Sequence, residues 1–254
     1  MRKMLLTLAT TTALLALPLS PATAETFTPE QKKAIGEIVR QYLLENPEVL
    51  VEVSNRLEQK RREQQAALAR QGLKAHADLI FNNPQDPTLG DASAKVAVVE
   101  FFDYNCGFCR RALKDMQKLV NAHKDVKVVF KEFPILGPGS DEAARIALAA
   151  KMQDEKKYWK LHQALLGFPG RVDGKVALAI AGKLGYDVER LKKDKESDAV
   201  KRIIATNMQL ADALGINGTP AFIIGDQVIR GALGYQALDA AVKAARKNGS
   251  KNKG

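Results

Sequence analysis

Apolar side chains recur at helical spacing in two stretches near the beginning of the chain. The first stripe consists of Ile35, Ile38, Val39, Tyr42 and Leu43, and the second of Val49, Leu50, Val53 and Leu57. Thr28, Pro29 and Gln31 form a capping-box pattern with proline at the first helical position, which predicts a helix start. Because proline disfavours helix in the residue before it, Asn46-Pro47 is predicted to separate the two stripes.

Polar helix formers replace this pattern between residues 58 and 71, where Glu, Gln, Lys, Arg and Ala dominate. We interpret residues 58–78 as a solvated helical spacer. The preceding segment, residues 25–57, is too short to form its own core, since isolated helices of this length are marginal in water. We therefore expect it to self-associate, and docking onto the rest of the same chain is the alternative.

The remainder of the chain has the pattern of an α/β domain, which we place at residues 79–247. Predicted strands and helices follow in the order strand Val96–Phe102, helix Cys106–Val120, strand Val126–Phe133, a helical block at about 139–214, hairpin strands Ala221–Ile224 and Gln227–Arg230, and helix Tyr235–Ala245. Residues 248–254 are interpreted as a disordered tail.

The first 24 residues have the pattern of a cleaved secretory signal peptide. Arg2 and Lys3 are basic, residues 5–17 are apolar, and Ala22-Thr23-Ala24 is a small-x-small cleavage site. The apolar run is short of the ~20 residues that a membrane span requires, so an anchor is the weaker alternative. The sequence therefore predicts export to the periplasm.

The charge pattern and the cysteine count exclude two classes of function. The net charge is +10, but the charges are mixed and no basic stripe is interleaved with aromatics, which argues against nucleic-acid binding. The two cysteines, Cys106 and Cys109, are three positions apart. A bridge across two residues would restrain little chain entropy, so a purely structural disulfide is not expected.

Cys106-Gly107-Phe108-Cys109 follows a predicted strand and opens a predicted helix. Free N–H groups and the positive end of the helix dipole favour a thiolate there, and the thiolate is the nucleophile. We predict that Cys106 is the N-cap, exposed and activated, and that Cys109 lies one turn further in, more buried, to resolve a mixed disulfide. The pair is thus predicted to be a redox-active disulfide.

Other uses of a Cys-x-x-Cys motif fit this sequence poorly. A zinc site needs four ligands, and the three histidines do not stand at ligand spacing. Covalent haem attachment needs a histidine directly after the motif, where Arg110 stands instead. We predict neither a metal nor a cofactor.

The three histidines are given structural interpretations. We interpret His76 as a residue of the spacer, His123 as a residue at a helix end and His162 as a residue on a helix surface. We interpret Tyr158 and Trp159 as core residues.

The segment from Phe101 to Cys109 resembles the active-site segment of the DsbA family. Gly218-Thr219-Pro220-Ala221 resembles the cis-proline loop of that family, and the helical block resembles its helical insertion. The segment from Thr28 to Leu57, with its motif at residues 42–50, resembles the N-terminal segment of the suppressor-of-copper-sensitivity C (ScsC) subgroup. The Gly107-Phe108 dipeptide departs from the Pro-His of DsbA proper, which leaves the redox potential open.

The resemblance implies a thioredoxin-like fold with a helical insertion, preceded by an N-terminal helical oligomerisation segment. It also implies a homotrimer, a setting in copper tolerance, exported proteins with cysteines as substrates, and a membrane thiol reductase as electron donor. Substrate binding is assigned to Thr219, Pro220, Gly107 and Phe108. The Thr219-Pro220 bond is expected to be cis, with the backbone of Thr219 pairing with an extended substrate.

Glu100 is unusual in the apolar strand that precedes the cysteines. DsbA-like proteins carry a glutamate at this position, and burial would raise its pKa. We predict that Glu100 exchanges protons with Cys109, with a solvent-facing position at a sheet edge as the alternative.

The predicted function is thiol–disulfide exchange on exported proteins, as a disulfide isomerase or reductase. A DsbA-like dithiol oxidase is one alternative. A non-catalytic protein that holds peptides or sequesters copper through its two thiolates is another.

Overall fold

The structure is a computed structural model that describes residues 27–91 and 93–251. The predicted signal peptide at residues 1–24 and the final residues 252–254 lie outside the described residues. The chain divides into two compact units, with the boundary between Leu57 and Glu58. Within the described ranges, no helix combines the length and the apolar character that crossing a membrane would require.

The first unit contains helix α1 (Pro29–Glu45) and the beginning of helix α2 (Glu48–Ala75). The capping box is present: Gln31 N donates to Thr28 Oγ1 at 3.2 Å, and Thr28 N donates to Gln31 Oε1 at 2.8 Å. Helix α1 has no buried residue. The large apolar side chains that stay exposed in this unit include Ile35, Ile38, Val39, Tyr42, Leu44, Leu50, Val51, Val53 and Leu57.

The second unit is built on a five-stranded sheet with strand order β1-β3-β2-β4-β5. Its elements after α2 are α3 (Ala77–Phe81), β1 (Thr88–Leu89), β2 (Val96–Phe102), α4 (Gly107–Ala122), β3 (Val126–Glu132), α5 (Pro138–Gln153), α6 (Glu155–Leu166), α7 (Gly174–Lys183), α8 (Val188–Asp194), α9 (Asp198–Ala213), β4 (Ala221–Ile224), β5 (Gln227–Arg230) and α10 (Tyr235–Lys251). Strands β2 and β3 are parallel, and the other neighbouring strands are antiparallel. The predicted thioredoxin-like fold with a helical insertion is confirmed.

The sheet is covered on both faces, which explains why β2 is apolar almost throughout. Side chains alternate along a strand, so Val98 and Phe102 share one face with Val128 and Phe130 of β3. We call this the α4 face, because α4 and the helical insertion pack on it. The opposite face, here the α3 face, carries the cluster Leu73, Ile80, Val99, Phe101, Val129, Phe133, Leu210, Ala211, Leu214, Ile216, Ala221 and Ile223.

The spacer prediction is wrong at its C-terminal end. Helix α2 is continuous to Ala75, but Ala69, Gly72 and Leu73, which belong to the second unit, are buried within it rather than solvated. A Cβ on Gly72 would lie 2.7 Å from the carbonyl oxygen of Ala213, so the absence of a side chain permits this close approach. The small residues at 69 and 72 are what allow α2 to pack there.

Two other boundaries differ from the sequence prediction. Strand β1 has only two residues, too few to produce an alternating pattern, and it is recognised by its pairing with β3. Helix α10 continues to Lys251, past residue 247, because Ala, Lys and Arg favour helix and no proline ends it. The predicted disordered tail at 248–254 therefore begins too early, and of that tail only residues 252–254 lie outside the described ranges.

Candidate active site

Cys106 is the N-cap of α4, with an extended backbone conformation, directly after the loop that follows β2. Its Sγ lies 3.2 Å from the carbonyl oxygen of Thr219, and the Thr219-Pro220 peptide bond is cis, as the sequence predicted. The pKa of Cys106 is lowered to about 5. The hydrogen bond from the Cys109 thiol is the largest cause, and Thr219 and the N–H groups at the start of the helix add to it.

Cys106 is not exposed, contrary to the sequence prediction, because the Thr219-Pro220 loop lies against it. Only 6% of the residue is accessible. Cys109 is completely buried, and burial is the main reason that its pKa is raised. The neighbouring Cys106 and the charge of Glu100 raise the pKa of Cys109 further. One thiol is thus prepared as a thiolate at neutral pH and the other retains its proton.

Glu100 lies in β2, the central strand, between Phe130 of β3 and Phe222 of β4. The alternative of a solvent-facing position at a sheet edge is therefore wrong. The residue is 1% exposed, and its Oε1 has no hydrogen-bond partner among the described residues. Burial raises its pKa to about 8, so the carboxyl is mostly protonated at neutral pH. A negative charge on Glu100 raises the pKa of Cys109, whereas the raised pKa of Glu100 itself comes from burial.

A second buried carboxyl, Glu132, escaped the sequence analysis. Tyr104 and Tyr158 each donate a hydrogen bond to its Oε1, at 2.9 and 3.0 Å. Burial raises the pKa of Glu132 well above its usual range, although both tyrosines oppose this. Glu132 shares the α4 face with Phe130, two positions earlier in β3. Its partners come from positions 28 and 26 residues away, which local periodicity does not connect.

His162 is buried, and its assignment to a helix surface is wrong. The side chain is 1% exposed and lies among aromatic rings, with centroid distances of 4.6 Å to both Phe102 and Phe130. Burial lowers its pKa to about 3, so the imidazole is neutral. The signal was present in the sequence: Tyr158, His162 and Leu165 stand at the spacing of one helix face.

Asp103 and Asn105, which were not singled out, fix the loop before Cys106. The Asp103 carboxylate accepts hydrogen bonds from the N–H groups of Ile135 and Leu136, and from Asn105 N and Ser140 Oγ, all at 2.7–3.0 Å. The Asn105 side chain exchanges two hydrogen bonds with the backbone of Val172, both at 2.8 Å. Together they tie the loop to the β3–α5 connection and to the helical insertion.

Three of the four predicted substrate-binding residues, Phe108, Thr219 and Pro220, line one cavity beside the thiol, and Gly107 does not. A cavity of about 220 Å³ is lined by Phe108, Asn217, Gly218, Thr219, Pro220, Arg230 and Gly231. Gly107 is exposed but is not part of that lining. Across the described ranges, no group of three or more His, Cys, Asp or Glu side chains is arranged to hold a metal ion.

A thiol at a helix N-cap, a buried second thiol one turn later and a cis-proline loop against the first thiol define a thioredoxin-like thiol–disulfide oxidoreductase. The chain belongs to the DsbA family, since residues 97–243 match the family of DSBA-like thioredoxin domains. Residues 31–64 match the N-terminal domain of the copper resistance protein ScsC. The predicted relationship to DsbA and ScsC is therefore confirmed.

Solved structures show the same relationship. A thioredoxin-like oxidoreductase from Silicibacter pomeroyi is 47% identical, with a TM-score of 0.65, over 67% of this chain and 97% of that one. Salmonella enterica Typhimurium BcfH is 30% identical, with a TM-score of 0.73, over 85% of this chain and 96% of that one. Proteus mirabilis ScsC in a compact conformation is 31% identical, with a TM-score of 0.65, over 85% and 99% of the two chains.

Curated relatives include Na(+)/H(+) antiporters named NhaA. That of Salinispora arenicola is 28% identical over 163 residues, which is 63% of this chain. The chain spans about a quarter of the length of these curated relatives.

Proposed function

We propose that the chain is a periplasmic disulfide isomerase and reductase that acts as a homotrimer. The observation that carries the proposal is the exposed apolar surface of the first unit. Ile38 and Leu44 are each 66% exposed, and no residue of α1 is buried. Apolar stripes of this kind need a partner in water, and a second and third copy of the same segment supply one. The match to the ScsC N-terminal domain covers this region.

The exchange begins with the Cys106 thiolate. It attacks one sulfur of a substrate disulfide, a Cys106–substrate bond forms, and the second substrate sulfur leaves as a thiolate that takes up a proton. In isomerisation another substrate thiolate then attacks the mixed disulfide, a new substrate bridge forms, and the Cys106 thiolate is regenerated. The protein gains and loses no electrons overall.

In reduction, Cys109 completes the reaction. Its thiol loses a proton, for which the carboxylate form of Glu100 is the nearby acceptor that we propose. The Cys109 sulfur then attacks Cys106, which forms the Cys106–Cys109 bridge and releases the reduced substrate. A membrane thiol reductase, the partner implied by the family, must return two electrons, and one proton restores the Cys109 thiol beside the Cys106 thiolate. Copper tolerance is the proposed biological setting, in keeping with the description of the ScsC domain family.

The substrate site follows from the same geometry. We assign the binding of an extended segment to the Thr219 backbone, Pro220 and Phe108, beside Cys106, with Gly107 at the open edge. An extended peptide that pairs with exposed backbone receives affinity from main-chain hydrogen bonds and specificity from side-chain pockets. The cavity next to Phe108 is the pocket available here.

A DsbA-like oxidase is the second candidate, and the lowered pKa of Cys106 favours it. A stabilised thiolate is a good leaving group, and it stabilises the reduced form and makes the disulfide more oxidising. Assembly is what separates the two candidates. A trimer with several Cys106 sites can hold a misfolded substrate while bridges are retried, and it hinders the compact partner that would reoxidise a monomer.

The test uses the chain from Glu25 and a truncation from Glu58, which keeps the whole second unit. Light scattering should give a trimer for the first and a monomer for the second. Refolding of a protein with scrambled disulfides in glutathione buffer should be at least several-fold faster with the trimer. Ile38→Lys should dissociate the trimer, whereas Gln41→Lys, which adds the same charge to a polar site of α1, should not.

Three results would count against the proposal. A monomeric full-length protein removes the trimer. Equal isomerisation by the monomeric truncation breaks the link between assembly and function, and favours the oxidase if the truncation also oxidises reduced substrates quickly. Full function in a Cys106→Ser variant would point to a non-catalytic binder.

A further inference from the structure

Five segments of the chain surround Cys106, and we call them the thiol rim. They are residues 104–114, 133–140, 167–172, 214–224 and 229–238. Asp103 and Asn105 join the active-site loop to the second and third segments. The Thr219 carbonyl contacts the Cys106 sulfur, and Gly231 N donates to Pro220 O at 2.8 Å, which places the last two segments at the site.

Within its five segments the thiol rim has basic side chains and no acidic ones, and the buried Asp103 carboxylate lies directly before the first segment. Its five segments contain no aspartate and no glutamate. The basic residues in these segments are Arg110, Arg111, Lys114, Arg171 and Arg230. The acids directly adjacent to these segments are Asp103, Asp115, Glu132, Asp141, Asp173 and Asp239. Asp103 and Glu132 are buried, Asp141 pairs with Arg145, Asp239 pairs with Lys243, and Asp173 accepts from Val176 N as the cap of α7. None of these acids lies in an ion pair with a rim arginine among the described residues.

The rim arginines are held in place by neutral groups. Arg110 and Arg171 donate to the carbonyl oxygens of Gly170 and Leu136 respectively. Arg111 lies over the Phe108 ring, 4.3 Å from its centroid. Arg230 donates to Leu214 O at 3.3 Å and Gly215 O at 3.1 Å. These contacts orient the guanidinium groups and leave their charge uncompensated.

Four of the seven other arginines in the second unit differ from these in having a carboxylate partner. Arg62, Arg145, Arg190 and Arg246 each form an ion pair with a carboxylate. The rim also contains exposed apolar side chains, Phe108, Leu136 and Leu233, at 55, 42 and 63%. The surface around the thiol therefore combines fixed positive charge with apolar contact area.

We propose that the thiol rim selects acidic substrate segments: extended peptides in which aspartate or glutamate flanks the reacting cysteine, beside an apolar side chain that enters the 220 Å³ cavity. A guanidinium matches a carboxylate with two parallel hydrogen bonds, and a field of one sign raises the association rate of the opposite charge. The inference rests on the proposed function, because it concerns the substrates of that exchange. The covalent step is unchanged: a Cys106–peptide bond forms as the peptide's disulfide breaks.

The experiment measures how fast the reduced protein reacts with three short peptides. Each carries one cysteine in a disulfide with mercaptoethanol, flanked by two Asp, two Asn or two Lys on each side. Hydroxyethyl disulfide, which is small and uncharged, reports the reactivity of the thiolate itself. Each peptide rate is divided by that rate, so that a change in the pKa of Cys106 cancels.

The acidic peptide should react about tenfold or more faster than the lysine peptide at low salt, within the range of electrostatic steering. The difference should nearly vanish at about 1 M salt, where the screening length is roughly 3 Å. The double variant Arg171→Gln/Arg230→Gln should lose most of the preference. Arg190→Gln, a control that removes a paired arginine remote from the rim, should keep it.

Equal normalised rates for the three peptides would overturn the inference and leave the proposed function standing. A preference that survives in Arg171→Gln/Arg230→Gln would overturn the assignment to the rim. A protein that does not react with hydroxyethyl disulfide would overturn the proposed function itself, and the inference with it.

Discussion

The two faces of the central sheet bury ionisable side chains in opposite ways. On the α3 face, Lys131 is completely buried and pairs with the buried carboxylate of Asp86. On the α4 face, Glu100 and Glu132 are equally buried, and neither forms an ion pair among the described residues. The first arrangement neutralises a charge with a partner, whereas the second neutralises it with a proton.

This difference determines what each face can do. Burial lowers the pKa of Lys131 and raises that of Asp86, but each partner acts in the other direction and favours the charged pair. Burial of Glu100 has no such opposition, and it raises the pKa of this carboxyl to about 8. The α4 face, which also holds the two thiols, therefore has a carboxyl whose pKa lies near neutral pH.

Breaking the ion pair on the α3 face should have the largest effect on stability. Lys131→Met leaves the Asp86 carboxylate buried without a partner, which should cost about 3–5 kcal/mol of unfolding free energy in urea at pH 7. The pKa of Cys106, followed by thiolate absorbance, should not move.

Lys192→Ala is the matched control, because it removes a lysine from an exposed pair with Glu189. It should cost less than about 1 kcal/mol. The double variant Lys131→Met/Asp86→Leu should recover much of the loss. A loss as small as that of Lys192→Ala would show that the buried pair contributes nothing of its own.

The second prediction concerns Glu100, whose folded-state pKa is raised. Between the usual carboxyl pKa and about 8, the folded protein binds a proton that the unfolded chain has lost, so stability falls as pH rises. Between pH 5 and pH 7, the unfolding free energy of the reduced wild type should fall by about 2.5 kcal/mol more than that of Glu100→Gln.

The same variant should form the Cys106–Cys109 bridge from a mixed disulfide more slowly, and its first attack on hydroxyethyl disulfide should be unchanged. Identical pH dependence of stability in the two proteins would mean that Glu100 titrates as an ordinary carboxyl. Unchanged rates of bridge formation would exclude it as the acceptor of the Cys109 proton.

The smallest effect is expected at the second carboxyl of the α4 face. Tyr158→Phe removes one of the two hydrogen bonds to Glu132 and should cost about 1 kcal/mol. Tyr235→Phe, whose hydroxyl makes no hydrogen bond with another described residue, should cost clearly less. Chemical denaturation at pH 7 measures both. A loss well above 3 kcal/mol for Tyr158→Phe would mean that the pair of tyrosines acts as one unit.

The elements of the catalytic unit could be predicted from local patterns, but the polar groups between them could not. Alternation and helical spacing located β2, α4 and β3 to within a few residues, and the Cys-x-x-Cys motif located the two thiols. Lys131 and Asp86 are 45 residues apart, and nothing in the periodicity of either segment connects them. The burial of His162 could have been predicted, because His162 shares a helix face with Tyr158 and Leu165. Its polar side chain favoured the surface assignment, which was wrong.

The space beside Gly107 has a consequence for how this protein can evolve. A side chain added at this position would meet no described atom within 4 Å. The loop that holds Cys106 is fixed from its other side, by the Asp103 carboxylate and its four donors. Gly107, the first of the two residues between the cysteines, is thus free of the demands of packing, so mutations there can change the chemistry of the thiol while the scaffold around it stays as it is. Relatives that share this scaffold can diverge in redox behaviour through a single codon.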